Sequence, residues 1–170
     1  MSHNRPLVAY AVRVAEFVKI QFALEADADG WPPVESEGLW AIALGDNSFR
    51  VDNTPWFVCG IAAGDVVRAE PRDGQWWFAE RLAPSGNSAI RVIPFRHGAL
   101  QGDRRTVLDM FERYGATGEV IEHYGIVALD IPPQADLAGV QALLREGFDE
   151  GWWDIDEGCV GETWHASARL

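Results

Sequence analysis

The chain has 170 residues, 48% of them apolar and 24% charged, which suits one sizeable core or two small ones and excludes a disordered chain. It carries 14 Lys and Arg against 26 Asp and Glu, a formal net charge of −12, and Lys19 is its one lysine. Nucleic acid is bound through many Lys and Arg contacts to phosphate, so this composition makes it a poor partner and points to a basic partner or to solubility alone.

Cys59 and Cys159 lie far apart, with no C-x-x-C pair and no close Cys/His spacing. That leaves no metal-ligand pattern, and both thiols are expected to be reduced and packed. No stretch approaches the ~20 apolar residues of a membrane span. Residues 7–18 are mildly apolar, but Arg13 and Glu16 interrupt them and no small-residue cleavage site follows. No signal peptide is read there, and the cytoplasm is the expected compartment.

In chain order, residues 1–16 are expected to form a loosely ordered N-terminus. Val18, Ile20, Phe22 and Leu24 then alternate with Lys19, Gln21 and Ala23, the period of a half-buried strand. Asp27 to Gly38 carries turn chemistry in Asp29-Gly30 and Pro32-Pro33. Short apolar runs follow over 39–44, 48–51, 56–61, 66–70, 75–82 and 89–95. Gly, Asp, Asn and Pro punctuate them, a pattern that predicts a small barrel or curled antiparallel sheet.

The period changes near Gly98. Val107, Leu108, Phe111 and Tyr114 mark one face of a helix, with Asp103 as N-cap and Gly115 just past its end. Strands are expected over 119–122 and 125–131, joined by a turn at His123-Tyr124. A second helix on Leu137, Val140 and Leu144 is expected to close at Gly147, and a last strand to span 152–160. From Ala89 the order is strand, helix, strand, strand, helix, strand, the ferredoxin-like arrangement. The sequence therefore predicts an α+β protein. An antiparallel β-barrel-like domain spans 17–88 and packs on a ferredoxin-like (βαββαβ) half at 89–165.

Four motifs taken in order resemble a bacterial family known as a domain of unknown function (family 4265). They are Glu35-Ser36-Glu37-Gly38-Leu39-Trp40-Ala41, Val51-Asp52-Asn53-Thr54-Pro55-Trp56-Phe57, Gly64-Asp65-Val66-Val67, and Ser85-Gly86-Asn87-Ser88 with Ile90-Arg91-Val92. The resemblance covers about residues 17–160. It implies a bacterial cytosolic protein with some relatives near toxin systems, and it implies no particular chemistry.

No nucleophile elbow, phosphate loop, zinc-protease motif or dinucleotide fingerprint occurs. The four histidines stand isolated, and no cofactor is implied. Asp52-Asn53-Thr54-Pro55-Trp56 reads as a turn held by its own side chains, or as a polar rim beside Trp40 and Trp56 at a barrel mouth. Ser85-Gly86-Asn87-Ser88 reads as a hairpin turn or a ligand loop. This gives Trp40, Asp52, Asn53, Trp56, Ser85 and Asn87 as one candidate set, for the alternative of a small-ligand-binding protein or an enzyme.

The second set lies in the acidic half. Residues 1–100 hold 12 acids and 9 bases, whereas residues 101–170 hold 14 acids and 5 bases. Trp152 and Trp153 sit among the acids of 146–162. On a strand, neighbours face opposite ways, so one tryptophan is expected to be exposed, or else covered by the first domain. Trp152, Trp153, Asp154, Asp156 and Glu157 are therefore expected to form a docking surface for a basic protein such as a toxin, and the leading expectation is a non-catalytic acidic binding module of the immunity-protein or antitoxin kind. The competing explanation is a packed tryptophan beside a solvated acidic face.

Overall fold

The structure is a computed structural model and describes residues 15–167. The expected loose N-terminus lies outside the described residues up to residue 14. The chain is a mixed α+β protein with two mostly antiparallel sheets.

Strands β1 (Phe17–Ala23), β2 (Ser36–Gly45), β3 (Ser48–Val51), β4 (Val66–Arg72) and β5 (Gln75–Ala83) pair in sequence as antiparallel neighbours. β1 then pairs with β5 in parallel, which closes the five into a barrel. The two tight hairpins use residues that tolerate positive φ. Asp46 and Asn47 stand at 51° and 56° in the β2–β3 turn, and Asp73 and Gly74 at 51° and 77° in the β4–β5 turn. Both match the turn geometry that suits the twist of paired strands. Ile20, Phe22, Leu39, Ala41, Phe49, Val51, Val67 and Ala69 fill the interior.

The run 56–61 is not a strand. Its first three backbone donors are taken by a side chain instead: the buried carboxylate of Glu37 accepts from the N–H groups of Trp56, Phe57 and Val58 at 2.6, 2.8 and 2.9 Å, while the Gly60 N–H donates to the Gly158 carbonyl at 2.8 Å. A segment whose N–H groups are satisfied this way has no need of a sheet ladder.

The second sheet has the order β7-β8-β6-β9, from β6 (Ser88–Pro94), β7 (Thr117–Ile121), β8 (Ile126–Ile131) and β9 (Trp153–Cys159), all neighbours antiparallel. Helices α1 (Arg104–Glu112) and α2 (Leu137–Asp149) cover one face. Asp103 caps α1, its side chain accepting from the Thr106 N–H at 3.1 Å. A short α3 (Glu162–Ser167), which strand and helix periodicity did not predict, follows β9.

The central strands are buried on both sides. Ile90, Val92, Val127, Leu129 and Ile131 face the helices. Ile93, Ile126 and Ala128 face the closed sheet and meet Phe57. Alternation along β7 and β9 then sends Glu119 and Asp156 toward the closed sheet, where each has a partner: the Trp56 indole and the Arg91 guanidinium.

α2 does not close at Gly147 but runs to Asp149. The glycine has a packing reason: a Cβ there would lie 2.1 Å from the Trp153 indole. Residues 85–87 are not a hairpin turn within one sheet. They carry the chain from β5 into β6, pinned by Ser85 N–H on Asp65 at 2.7 Å and by Asn87 Nδ2 on Asp130 at 2.9 Å.

Candidate functional site

The structure divides the first candidate set. Trp40, Asn53 and Trp56 line one cleft of about 510 Å³ between the closed sheet and the second sheet, with Lys19, Glu37, Glu119 and Tyr124. Asp52 is exposed beside the cleft and does not line it. Ser85 and Asn87 line a separate cavity with Asp65 and Arg81. Their side chains serve the crossing between the halves, Ser85 Oγ donating to the Ala63 carbonyl at 2.8 Å.

Local geometry fixes the cleft. Asn53 Oδ1 accepts from the backbone N–H of Trp40 at 2.7 Å, tying the loop after β3 to β2. Trp56 is set by two carboxylates: Glu37 holds its backbone, and Glu119 Oε2 accepts from its indole Nε1 at 3.0 Å. Tyr124 closes the far wall and packs edge-on to Phe57, ring centroids 5.0 Å apart. Trp40 is held at the backbone, yet its side chain is 48% exposed. Lys19 stands directly across from it in the β1–β2 register, with Nζ 5.2 Å from the ring centroid. The stem of Lys19 passes over Gly38, where a Cβ would come within 3.0 Å of its Cδ.

Periodicity alone did not single out Lys19, Glu37, Glu119 or Tyr124. Lys19 carried a compositional signal as the one lysine, and Glu37 a positional one as an acid beside the apolar alternation of β2.

A slightly larger cavity of about 550 Å³ lies along residues 57–61, among Phe22, Phe78, Cys59, Arg81, Arg91 and Asp156. Arg91 is buried, its Nη2 donates to the Val58 carbonyl at 2.8 Å, and its Nη1 pairs with Asp156. Those bonds hold the loop on β6, a structural task. Cys59 is exposed there rather than packed, and Cys159 is buried; both are free thiols. Burial pushes the Cys159 thiol above its ordinary range, reinforced by the nearby Asp65 charge.

The second candidate set does not form a tryptophan-centred surface. Trp153 is fully buried, its Nε1 donating to the Leu144 carbonyl at 3.1 Å and its ring packed near Phe111. Trp152 precedes the strand, and its N–H bonds the Gly147 carbonyl at the end of α2. Strand alternation therefore does not apply to it, and it packs half-buried on the same core. Asp154 is exposed, Asp156 is engaged by Arg91, and Glu157 accepts from the Trp164 indole at 3.0 Å. The docking expectation for Trp153 is thus corrected: its indole is core.

Among the described residues, no group of three His, Cys, Asp or Glu could hold a metal ion, and no helix is long and apolar enough to cross a membrane.

A solved structure described as the novel crystal structure of a hypothetical protein from Neisseria gonorrhoeae is similar in fold, with a TM-score of 0.71 at 18% identity. The similarity covers 86% of this chain and 96% of that one. No curated protein matches. The model of the family described as Domain of unknown function (DUF4265) matches residues 37–155, and the chain belongs to that family.

Proposed function

We propose that the protein is a non-catalytic cytoplasmic binding module whose ligand is a small molecule seated in the cleft of Trp40, Asn53 and Trp56. The supporting observation is Trp40: a large aromatic, 48% exposed and fixed at its backbone, at the mouth of a concave aromatic cleft. A pocket with apolar walls and a few placed polar groups is the usual form of a small-molecule site. The cleft sits where the barrel domain, 17–88, meets the second domain, 89–165. We read that second domain as ferredoxin-like; the strand order β7-β8-β6-β9 and the two crossover helices support it.

The test is a thermal-shift screen of a metabolite library. A ligand of the folded state raises the melting temperature by mass action. Hits should lose their shift in Trp40→Ala and keep it in Trp77→Ala, a control on β5 away from the cleft. Hits indifferent to Trp40→Ala would remove the reading.

A second reading, an acidic module that blocks a basic protein surface as an immunity protein or antitoxin does, is favoured by Phe148. This residue is 53% exposed at the end of α2, flanked by Glu146, Asp149 and Glu150. It supplies the exposed aromatic among carboxylates that Trp153 does not. For a basic partner, Phe148→Ala should speed dissociation. Neutralising Asp149, Glu150 and Asp154 should slow association and flatten its salt dependence. Unchanged rates in both variants would discard it.

A further inference from the structure

We propose that the cleft selects organic cations of the substituted-ammonium class, and that Lys19 occupies the cation position while the cleft is empty; this rests on the small-molecule reading above. Three observations converge. The cleft is lined by four aromatic residues, Trp40, Trp56, Phe57 and Tyr124, and an aromatic face attracts a cation through its ring quadrupole. Carboxylates line it too: Glu119, whose Oε2 already holds the Trp56 indole, and Glu37, which is committed to the loop backbone. The chain's one lysine is placed with its ammonium over the exposed ring of Trp40 at 5.2 Å.

The last observation argues most strongly. The Trp40 face already takes a cation in this structure, and it comes from a side chain that can leave. Lys19 is exposed, and its stem lies over Gly38, where no side chain obstructs it. The flexible four-carbon stem and strongly hydrated head of a lysine suit an exchangeable occupant. A quaternary ammonium is less strongly hydrated than a primary one and matches an aromatic surface better, so it displaces Lys19 toward solvent. The overall charge of −12 favours the approach of any cation.

The experiment is a calorimetric titration of the full chain with choline and with its uncharged isostere 3,3-dimethylbutan-1-ol. Shape and apolar area are nearly the same in the two probes, so their difference reports the charge. Choline should bind at least ~10-fold more tightly than the isostere, with the advantage lost in Trp40→Ala. Lys19→Met keeps the stem over Gly38 and removes the competing ammonium, so it should tighten choline binding severalfold. Equal binding of choline and isostere, both abolished by Trp40→Ala, would overturn the cation inference and leave the small-molecule reading standing. Failure of choline to bind, or weaker choline binding in Lys19→Met, would also overturn it. The metabolite screen decides the small-molecule reading separately.

Discussion

Lys19 and Trp40 face each other across the β1–β2 ladder, and the ammonium of one lies 5.2 Å from the ring centroid of the other. The pair is exposed, so it adds little to stability; cation–π pairs at such sites are worth roughly 0.5–1 kcal/mol. The backbone of Trp40 stays tied to Asn53 whatever its side chain. Trp40→Ala should therefore cost less than about 1 kcal/mol in urea unfolding. A loss of several kcal/mol would mean that Trp40 is a packing residue and not the wall of a site.

Glu37 should be the opposite case. Its carboxylate accepts three backbone N–H groups, and replacing one oxygen by an amide leaves donors facing a donor. Hydrogen bonds to charged groups are worth roughly 1.5–3 kcal/mol each, so Glu37→Gln should destabilise by about 3 kcal/mol and loosen residues 56–58. Amide exchange of Phe57 and Val58 measures the second effect. Unchanged protection at those amides would contradict the anchoring role.

Trp153 and Gly147 form one packing unit. Trp153→Ala empties a fully buried site and should cost about 3–5 kcal/mol. Gly147→Ala gains about 1 kcal/mol of helix propensity but drives a methyl group into the indole. Overpacking of this kind costs about 1–3 kcal/mol or more, so the variant should be net destabilised. A more stable Gly147→Ala protein would show that the indole moves aside freely. Thermal unfolding of both variants decides these outcomes.

Burial pushes the Asp130 carboxyl above its ordinary range, against the lowering effect of its hydrogen bond from Asn87. The folded protein then holds this proton to higher pH than the unfolded chain does. Across that window the folded state binds more protons, so the contribution of Asp130 to stability falls as pH rises. Asp130→Asn keeps an acceptor for Asn87 and removes the titration. Urea unfolding at a series of pH values should show the variant gaining on the wild type from about pH 4 upward, then holding a constant lead. A lead that shrinks over the same range would reverse the sign of this account.

The architecture was legible where periodicity is strong. The alternation of Ile20 and Phe22, the Gly, Asp and Asn punctuation that becomes the turns at Asp46-Asn47 and Asp73-Gly74, and the Asp103 cap each have a local cause. Reading failed where a distant partner decides. The run 56–61 has strand composition, but Glu37, some 20 residues earlier, takes the backbone donors of residues 56–58. Gly147 resembles a helix stop, but Trp153 is what requires it. Strand alternation would put Trp152 and Trp153 on opposite faces, yet only Trp153 is in the strand. Half of the ligand set, Trp40, Asn53 and Trp56, does line one cleft. Glu119 and Tyr124 come to it from the second sheet, more than 60 residues along the chain from Trp56, and no local pattern marks them.

The most direct test of the cleft is a 1H–15N spectrum of the indole N–H groups during titration with choline. The Trp56 indole bonds Glu119 at the cleft wall and Trp40 stands at its mouth, whereas Trp153 is sealed against Leu144. The account predicts that the Trp40 and Trp56 signals shift together and saturate while the Trp153 signal stays fixed. Saturable shifts confined to other tryptophans, or no saturable shift at Trp40 and Trp56, would contradict it.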